Sequence, residues 1–295
     1  MSKTITLITG ASTGLGQATA LHLARKGHRV FATMRSPEQG GAPLLAAAKA
    51  EGLQLTVSRM DVTDDASVRA GVDAALKDAG QIDVVVNNAG LGDLGAVELT
   101  TDEQMRAMFE TNVFGPIRVA RAALPSMRAR GSGTIVNISS IAGLVVGAGN
   151  GLYAGTKHAL EAISEALALE VLQYGIHVAI IEPGFFATPI IDKAVGSVPG
   201  AAGEGPYANV ERRMAGIYMG GKAAAQDPQL VAEMIEQAIA TGAPKLRYRV
   251  GVDAEVFATQ RPQMSDEEYV QAFGRVQTDE EFFAEFVRVF PMPGS

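Results

Sequence analysis

The sequence predicts an α/β fold: a doubly wound parallel sheet of about seven strands, followed by a substrate loop and a C-terminal helical extension. Three observations carry this. Short β-branched runs alternate with longer helical stretches along the whole chain. The runs are continuously apolar, as expected of strands covered on both faces. A glycine-rich turn follows the first run directly. Strand–helix alternation of this kind implies right-handed crossovers between parallel strands.

The elements follow in order. "TITLITG" (4–10) is the first strand, and "GQATALHLARKG" reads as the helix after it. "HRVFATMR" (28–35), "LQLTVSRMDV" (53–62), "IDVVVNNAG" (82–90), "GTIVNISS" (133–140) and "HVAIIEPG" (177–184) are the next five strands. "KLRYRVG" (245–251) reads as the last strand. Thr100 and Glu103 have the spacing of a capping box ahead of "QMRAMFETNVFGPIRVARAAL". Ser265 with Glu268, and Thr278 with Glu281, signal two short helices near the C-terminus. Residues 187–222 are rich in Gly and Ala and have no clear period at their centre. They read as a loop gating a site, since ligand-gating segments tend to be loops.

No linker divides the chain, so its 295 residues read as one domain. Residues 1–185 form the cofactor-binding and catalytic core, 186–225 the substrate loop, and 226–295 the C-terminal helices with the last strand. A net charge of −7 argues against a nucleic-acid partner. The chain has no cysteine, which excludes disulfides and thiolate chemistry. Its four histidines form no ligand-spaced cluster, so no metal is expected. The N-terminus runs straight into a strand and no apolar run reaches the length of a membrane span, so the expected location is the cytoplasm.

The first strand ends in "TGASTGLG". Gly10, Gly14 and Gly16 at a strand–helix turn let backbone approach a phosphate, and the helix start offers free N–H groups and positive dipole. The spacing differs from the usual G-x-G-x-x-G of dinucleotide folds. The end of the second strand discriminates between cofactors. An NAD enzyme usually places a carboxylate there for the ribose 2′-hydroxyl. Here Met34 stands near that place and Arg35 follows. An arginine can pair with a 2′-phosphate, so NADP(H) is favoured, with Arg35 its main contact and Ser12 or Thr13 assisting. NAD(H) stays open if Arg35 is a solvated strand-end charge.

In "ISSIAGLVVGAGNGLYAGTK" (138–157), Tyr153 and Lys157 are four residues apart, on one face of a helix. A nearby ammonium lowers the pKa of a phenol, which would make Tyr153 a usable general acid/base. Ser140 ends the fifth strand, where doubly wound sheets bind ligands. Its hydroxyl could bond a substrate oxygen as charge develops on it.

These motifs, with "DVTD" (61–64), "NNAG" (87–90), "TNVFG" (111–115) and "PGFFAT" (183–188) in the same order, resemble the short-chain dehydrogenases/reductases over roughly residues 4–190. "VFATMR", "PGFFAT" and "LRYRVGVDA" look most like the branch of hydroxysteroid dehydrogenases and bacterial carbonyl reductases. The resemblance implies a Rossmann fold and a tetrad of Asn112, Ser140, Tyr153 and Lys157. Tyr153 would exchange a proton with the substrate oxygen while hydride moves at the nicotinamide. Lys157 would hold the nicotinamide ribose, and Asn112 a water linking Lys157 to solvent. It also implies cofactor contacts from Leu15, Asp61, Val62, Asn88, Ala89, Gly90, Pro183, Gly184, Phe186 and Thr188.

Family substrate pockets follow the serine, the "NNAG" and the "PG" segments. Here these supply Leu91, Leu94, Val145, Val146, Asn150, Phe185 and Phe186, with no Lys or Arg. The expected substrate is a small apolar ketone, aldehyde or alcohol. By the same resemblance, helices at 102–129 and 153–174 would pair in a homodimer or homotetramer, through Met105, Met108, Phe109, Val113, Leu160, Ile163, Leu167 and Val171.

Overall fold

The seven expected strands form one sheet in the computed structural model, which describes residues 3–196, 205–241, 245–275 and 277–292. They are β1 (Ile5–Ile8), β2 (Arg29–Met34), β3 (Leu55–Arg59), β4 (Val84–Asn87), β5 (Gly133–Ile138), β6 (Ile176–Pro183) and β7 (Arg247–Val250). Their order is β3-β2-β1-β4-β5-β6-β7, and every neighbouring pair is parallel.

Both faces of the sheet are apolar because both are covered. The helices are α1 (Gly14–Arg25), α2 (Pro37–Ala50), α3 (Asp65–Ala79), α4 (Asp102–Phe109), α5 (Gly115–Arg130), α6 (Gly151–Val171), α7 (Pro189–Gly196), α8 (Ala208–Ala223), α9 (Gln229–Ala240), α10 (Val252–Gln260), α11 (Asp266–Gly274) and α12 (Asp279–Val289). Ile8, Ala32, Val86 and Val136 lie across one face in register, under Leu23 of α1, Leu44 of α2 and Ile235 of α9. Leu7, Phe31, Val85 and Ile135, one residue earlier, face the other way onto Val72 of α3, Val119 and Met127 of α5 and Val171 of α6. This period-2 division is hidden in the sequence because both sets are hydrophobic.

The crossover direction reverses between β1 and β4. Chain leaving the C-terminal ends of these two strands separates there and opens a crevice. The glycine turn after β1 and the Asn88–Gly90 segment after β4 both line it.

Three local expectations are corrected. The capping box of α4 is Thr101 with Gln104, one residue beyond the expected Thr100 and Glu103. Thr100 instead ends a short 3-10 turn and donates its hydroxyl back to Ala96 O. The long helix expected from 102 is broken by a π-type turn at Glu110–Phe114. Pro116 has no N–H to return to the carbonyl four residues earlier, which favours a wider turn at that point. Residues 187–222 are mostly helical where described, forming α7 and all but the end of α8, with 197–204 outside the described residues. Small residues blurred the helical period of α8, whose buried side chains are Glu211, Arg213 and Met214. Arg213 Nε donates to Asp279 Oδ1 at 2.8 Å and ties α8 to the start of α12. The expected boxes at Ser265 and Thr278 are both formed.

The phenylalanine-rich C-terminal segment docks on the body. Phe257 of α10 meets Phe290 at 4.7 Å and Phe286 of α12 at 5.9 Å between ring centroids. Phe273 of α11 packs on Phe282 and Phe290. Ile141, Val145 and Phe185 of the core lie against this cluster. No described helix is long and apolar enough to cross a membrane.

Candidate active site

The glycine turn is built to be tight. Gly10 and Gly14 have φ of 66° and 58°, a region that disfavours side chains. A Cβ on Gly10 would lie 2.7 Å from Ala89 Cα, and one on Gly16 would lie 2.3 Å from Asn88 Nδ2. Asn88 Nδ2 donates to the carbonyls of Thr9 and Gly10 at 2.9 and 3.0 Å and so clamps the turn to β4. Gly16 therefore serves packing between helix and turn. Gly10, Ser12, Thr13, Gly14 and Leu15 line one large cavity of about 400 Å³. Helix α1 starts at this cavity with no side-chain cap and no acidic residue in its first turn. Its leading N–H groups and positive dipole are thus available to an anion.

At the end of β2, Met34 is buried and Arg35 exposed, and both line the cavity. Arg35 has no ion-pair partner among the described residues. Asp61 and Val62 line the next stretch of wall, where Asp61 Oδ1 accepts from the N–H and hydroxyl of Thr63 at 3.0 and 2.8 Å. Asn88, Ala89, Gly90, Pro183, Gly184, Phe186 and Thr188 complete this lobe. A turn that admits no Cβ, an uncapped helix start and a wall of this length fit a dinucleotide. The residues expected to hold the cofactor surround one space, apart from Gly16, which lies behind it.

Ser140, Tyr153 and Lys157 all line this cavity. Ser140 lies two residues past the end of β5, at the start of a short 3-10 turn, and its side chain hydrogen-bonds the Tyr153 phenol. The neighbouring Ser139 also lines the cavity, with its hydroxyl beside Gly143. Lys157 is buried, lies 5.6 Å from the Tyr153 ring centroid, and donates from Nζ to Ile138 O at 2.8 Å. Burial dominates both ionisable groups. It pushes the Tyr153 phenol up to about 12, against the Ser140 hydrogen bond. It pushes Lys157 down to about 8, against the field of Glu161. The phenol is therefore raised where a lowering was expected, and the cause is burial.

Asn112 lies in the π-type turn and does not line the cavity. Its Oδ1 accepts from Leu91 N at 2.8 Å, and its Nδ2 donates to Leu91 O at 2.9 Å and to Thr156 Oγ1 at 3.1 Å. The side chain thus ties the chain after β4 to α6, on which Tyr153 and Lys157 ride.

Of the residues expected to form a substrate pocket, Asn150 and Phe185 line the same cavity as Tyr153, with Leu91, Val145 and Phe186. Leu94 and Val146 do not. Leu94 is buried against Ala194 and Met214, and Val146 is 43% exposed. Much of this wall was missed from sequence. Met214, Ile217 and Tyr218 come from α8, Phe257 from α10, Tyr269 from α11, and Phe286 and Phe290 from the C-terminal segment. Phe spacing in the last helix was the visible signal. Also missed was Asp253, whose Oδ2 accepts from Phe185 N at 2.6 Å. A Cβ on Gly184 would lie 2.2 Å from that carboxylate. Asp253 therefore sets the turn that carries Phe185 and Phe186.

The short chain dehydrogenase family model matches residues 4–196. A 3-ketodihydrosphingosine reductase of Bacteroides thetaiotaomicron is 41% identical over 194 residues, which are 65% of this chain and 67% of that protein. The 17-beta-hydroxysteroid dehydrogenase type 1 of Mus musculus is 37% identical over 257 residues, 84% of this chain and 74% of that one. Among solved structures, a short-chain dehydrogenase from Streptomyces avermitilis superposes with a TM-score of 0.80 at 37% identity, covering 92% of this chain and 96% of that one. An actinorhodin polyketide ketoreductase solved with NADPH gives 0.73 at 30% identity, over 84% of this chain and 95% of that one. The glycine turn, the Ser140–Tyr153–Lys157 centre and these relatives agree: the chain belongs to the short-chain dehydrogenase/reductase family, in its hydroxysteroid dehydrogenase branch, and is an NAD(P)-dependent oxidoreductase.

Proposed function

We propose that the protein interconverts an apolar ketone or aldehyde and the corresponding alcohol with NADP(H), using Tyr153 as general acid/base. The observation that carries this is the meeting of Ser140, Tyr153 and Lys157 in one cavity, between a phosphate-ready turn and an apolar wall. Reduction adds a hydride to the carbonyl carbon and a proton to its oxygen; the bound dinucleotide supplies the hydride. Tyr153 holds the proton at Oη, and burial keeps it there at neutral pH. Donation to the carbonyl oxygen leaves a phenolate that Lys157 stabilises from the next turn of α6. Ser140 Oγ donates to the same oxygen as it gains charge. In oxidation the same groups act in reverse, with Tyr153 taking the alcohol proton.

Preference for NADP(H) is supported by Arg35, which follows β2 with no ion-pair partner among the described residues, and by the absence of a carboxylate at Met34. An apolar substrate is supported by Val145, Phe185, Ile217, Phe257, Phe286 and Phe290. A cytoplasmic homodimer or homotetramer is part of the same reading. Met108, Val113, Leu160 and Val171 are buried in the subunit's own core. Any pairing face on the α4–α5 and α6 side therefore rests on exposed residues such as Met105, Phe114 and Leu169. The test is an initial-rate survey of apolar ketones with NADPH and NADH. Turnover with NADPH, reduced at least about 100-fold in Tyr153→Phe, is expected. Equal rates in wild type and variant would contradict the assignment of Tyr153.

A further inference from the structure

Asn150 stands at the N-cap of α6, one helical turn before Tyr153. An asparagine there normally turns its side chain back to cap the helix. This one makes no side-chain cap. Its backbone is satisfied, with N donating to Gly147 O at 3.1 Å and O accepting from Ala154 N at 2.9 Å. The residue lines the cavity instead. The residue is only 7% exposed, and its buried Oδ1 has no partner among the described residues. A buried acceptor without a donor is costly and uncommon. It points to a donor brought by something else.

Tyr218 of α8 faces it across the same cavity. The Asn150 amide lies beside the Tyr218 hydroxyl, and Tyr153 is near enough to be felt by it electrostatically. The Tyr218 ring is fixed edge-on to Phe185, with centroids 5.3 Å apart. Met214, one turn earlier on α8, packs on Gly147 and Gly149 and holds α8 against the Asn150 loop. Burial pushes the Tyr218 phenol up, so it remains a proton donor. The wall around this pair is Val145, Phe185, Ile217 and other apolar residues.

We propose that Asn150 and Tyr218 form a recognition pair for a hydroxyl on the substrate, close to the reacting carbonyl, so that the preferred substrate is a hydroxyketone on an apolar frame. A hydroxyl is the matching group because it both donates, to Asn150 Oδ1, and accepts, from the Tyr218 phenol. A carboxylate could only accept and would leave Asn150 Oδ1 without a donor. Asn150 precedes Tyr153 by one helical turn and Tyr218 is near enough to Tyr153 to feel it electrostatically, so that hydroxyl would sit on the carbon next to the carbonyl or the one beyond. The inference rests on the carbonyl-reductase reading above and narrows its substrate class.

The test compares a medium-chain methyl ketone with its analogues hydroxylated on the adjacent carbon and on the next one. kcat/KM with NADPH is measured for wild type, Asn150→Leu and Tyr218→Phe, with the fold of each checked by circular dichroism. Wild type should prefer one hydroxylated analogue by about 10-fold or more, since sites built to bond a hydroxyl reject the analogue lacking it. The ratio should fall to near one in Asn150→Leu and fall partway in Tyr218→Phe. If wild type reduces all three ketones at similar kcat/KM, or the preference survives in both variants, the recognition pair is wrong while the carbonyl reading stands. If none of the three is reduced with either cofactor, the carbonyl reading fails and takes this inference with it.

Discussion

Tyr153 and Lys157 are four residues apart, yet burial drives their proton affinities in opposite directions. The phenol is pushed up and the ammonium down, each shifted toward its neutral form as desolvation demands, yet Lys157 at about 8 still carries its charge at neutral pH. Spacing on a helix was readable from sequence, whereas the balance between a neighbouring charge and burial depends on what encloses the pair. Arg35 has the clearest consequence at this scale. As the charge at the end of β2, it should account for the preference between phosphorylated and unphosphorylated cofactor. Arg35→Asp should weaken NADPH binding by about 10- to 100-fold, the scale of a lost charged hydrogen bond, and strengthen NADH binding. Dissociation constants from fluorescence titration check this, and an unchanged NADPH/NADH ratio would remove Arg35 from the assignment.

At the scale of elements, what could be read was what repeats. The seven strands were legible because parallel strands buried on both faces are uninterrupted apolar runs, as in "VVVN" of β4. The Gly10–Gly16 turn, Ser140 and the Tyr153–Lys157 pair were legible because their spacing along one strand or helix is local. The apolar wall of the cavity was not, because it is assembled from distant pieces. Tyr218, Phe257, Tyr269 and Phe290 come from four places in the last third of the chain. Leu94 and Val146 were expected in that wall because they neighbour the right motifs, and a loop's side-chain directions are not periodic. The end of the C-terminal segment is part of the core as well as of the site. Phe290 is 2% exposed and stacks among Phe257, Phe273 and Phe286. Phe290→Ala should cost about 3–5 kcal/mol of stability by the cavity it leaves. Urea denaturation checks this, and a loss under about 1 kcal/mol would mean that the segment contributes little to folding.

Across the whole molecule, the sheet carries one further charge arrangement. Glu182 of β6 is fully buried, between Arg247 and Arg249 of β7 and near Glu161 of α6. Burial, with help from Glu161, pushes its carboxyl up to about 7 from an ordinary 4.5, against the two arginines. A carboxyl raised in the folded state binds its proton more tightly there than in the unfolded chain. Stability therefore falls as pH rises through the window from about 4.5 to about 7. Glu182→Gln, which mimics the protonated form, should flatten this fall and give a higher Tm than wild type at pH 8, with little difference at pH 5. Calorimetric melting at the two pH values reads this directly, and a lower Tm for the variant at pH 8 would show that the arginine pairing outweighs desolvation.

The fold brings phosphate-ready turn, proton donor and apolar wall to one crevice at the carboxyl ends of β1, β4, β5 and β6, and the central claim is that hydride and proton are transferred there. The most direct measurement uses NADPH deuterated at nicotinamide C4, with an apolar ketone that wild type turns over, followed by mass spectrometry of the alcohol. Deuterium on the carbinol carbon from wild type, with little labelled product from Tyr153→Phe although that variant still binds NADPH, is the predicted result. Labelled alcohol formed at the same rate by Tyr153→Phe, or no labelled alcohol from wild type with any ketone, would contradict it.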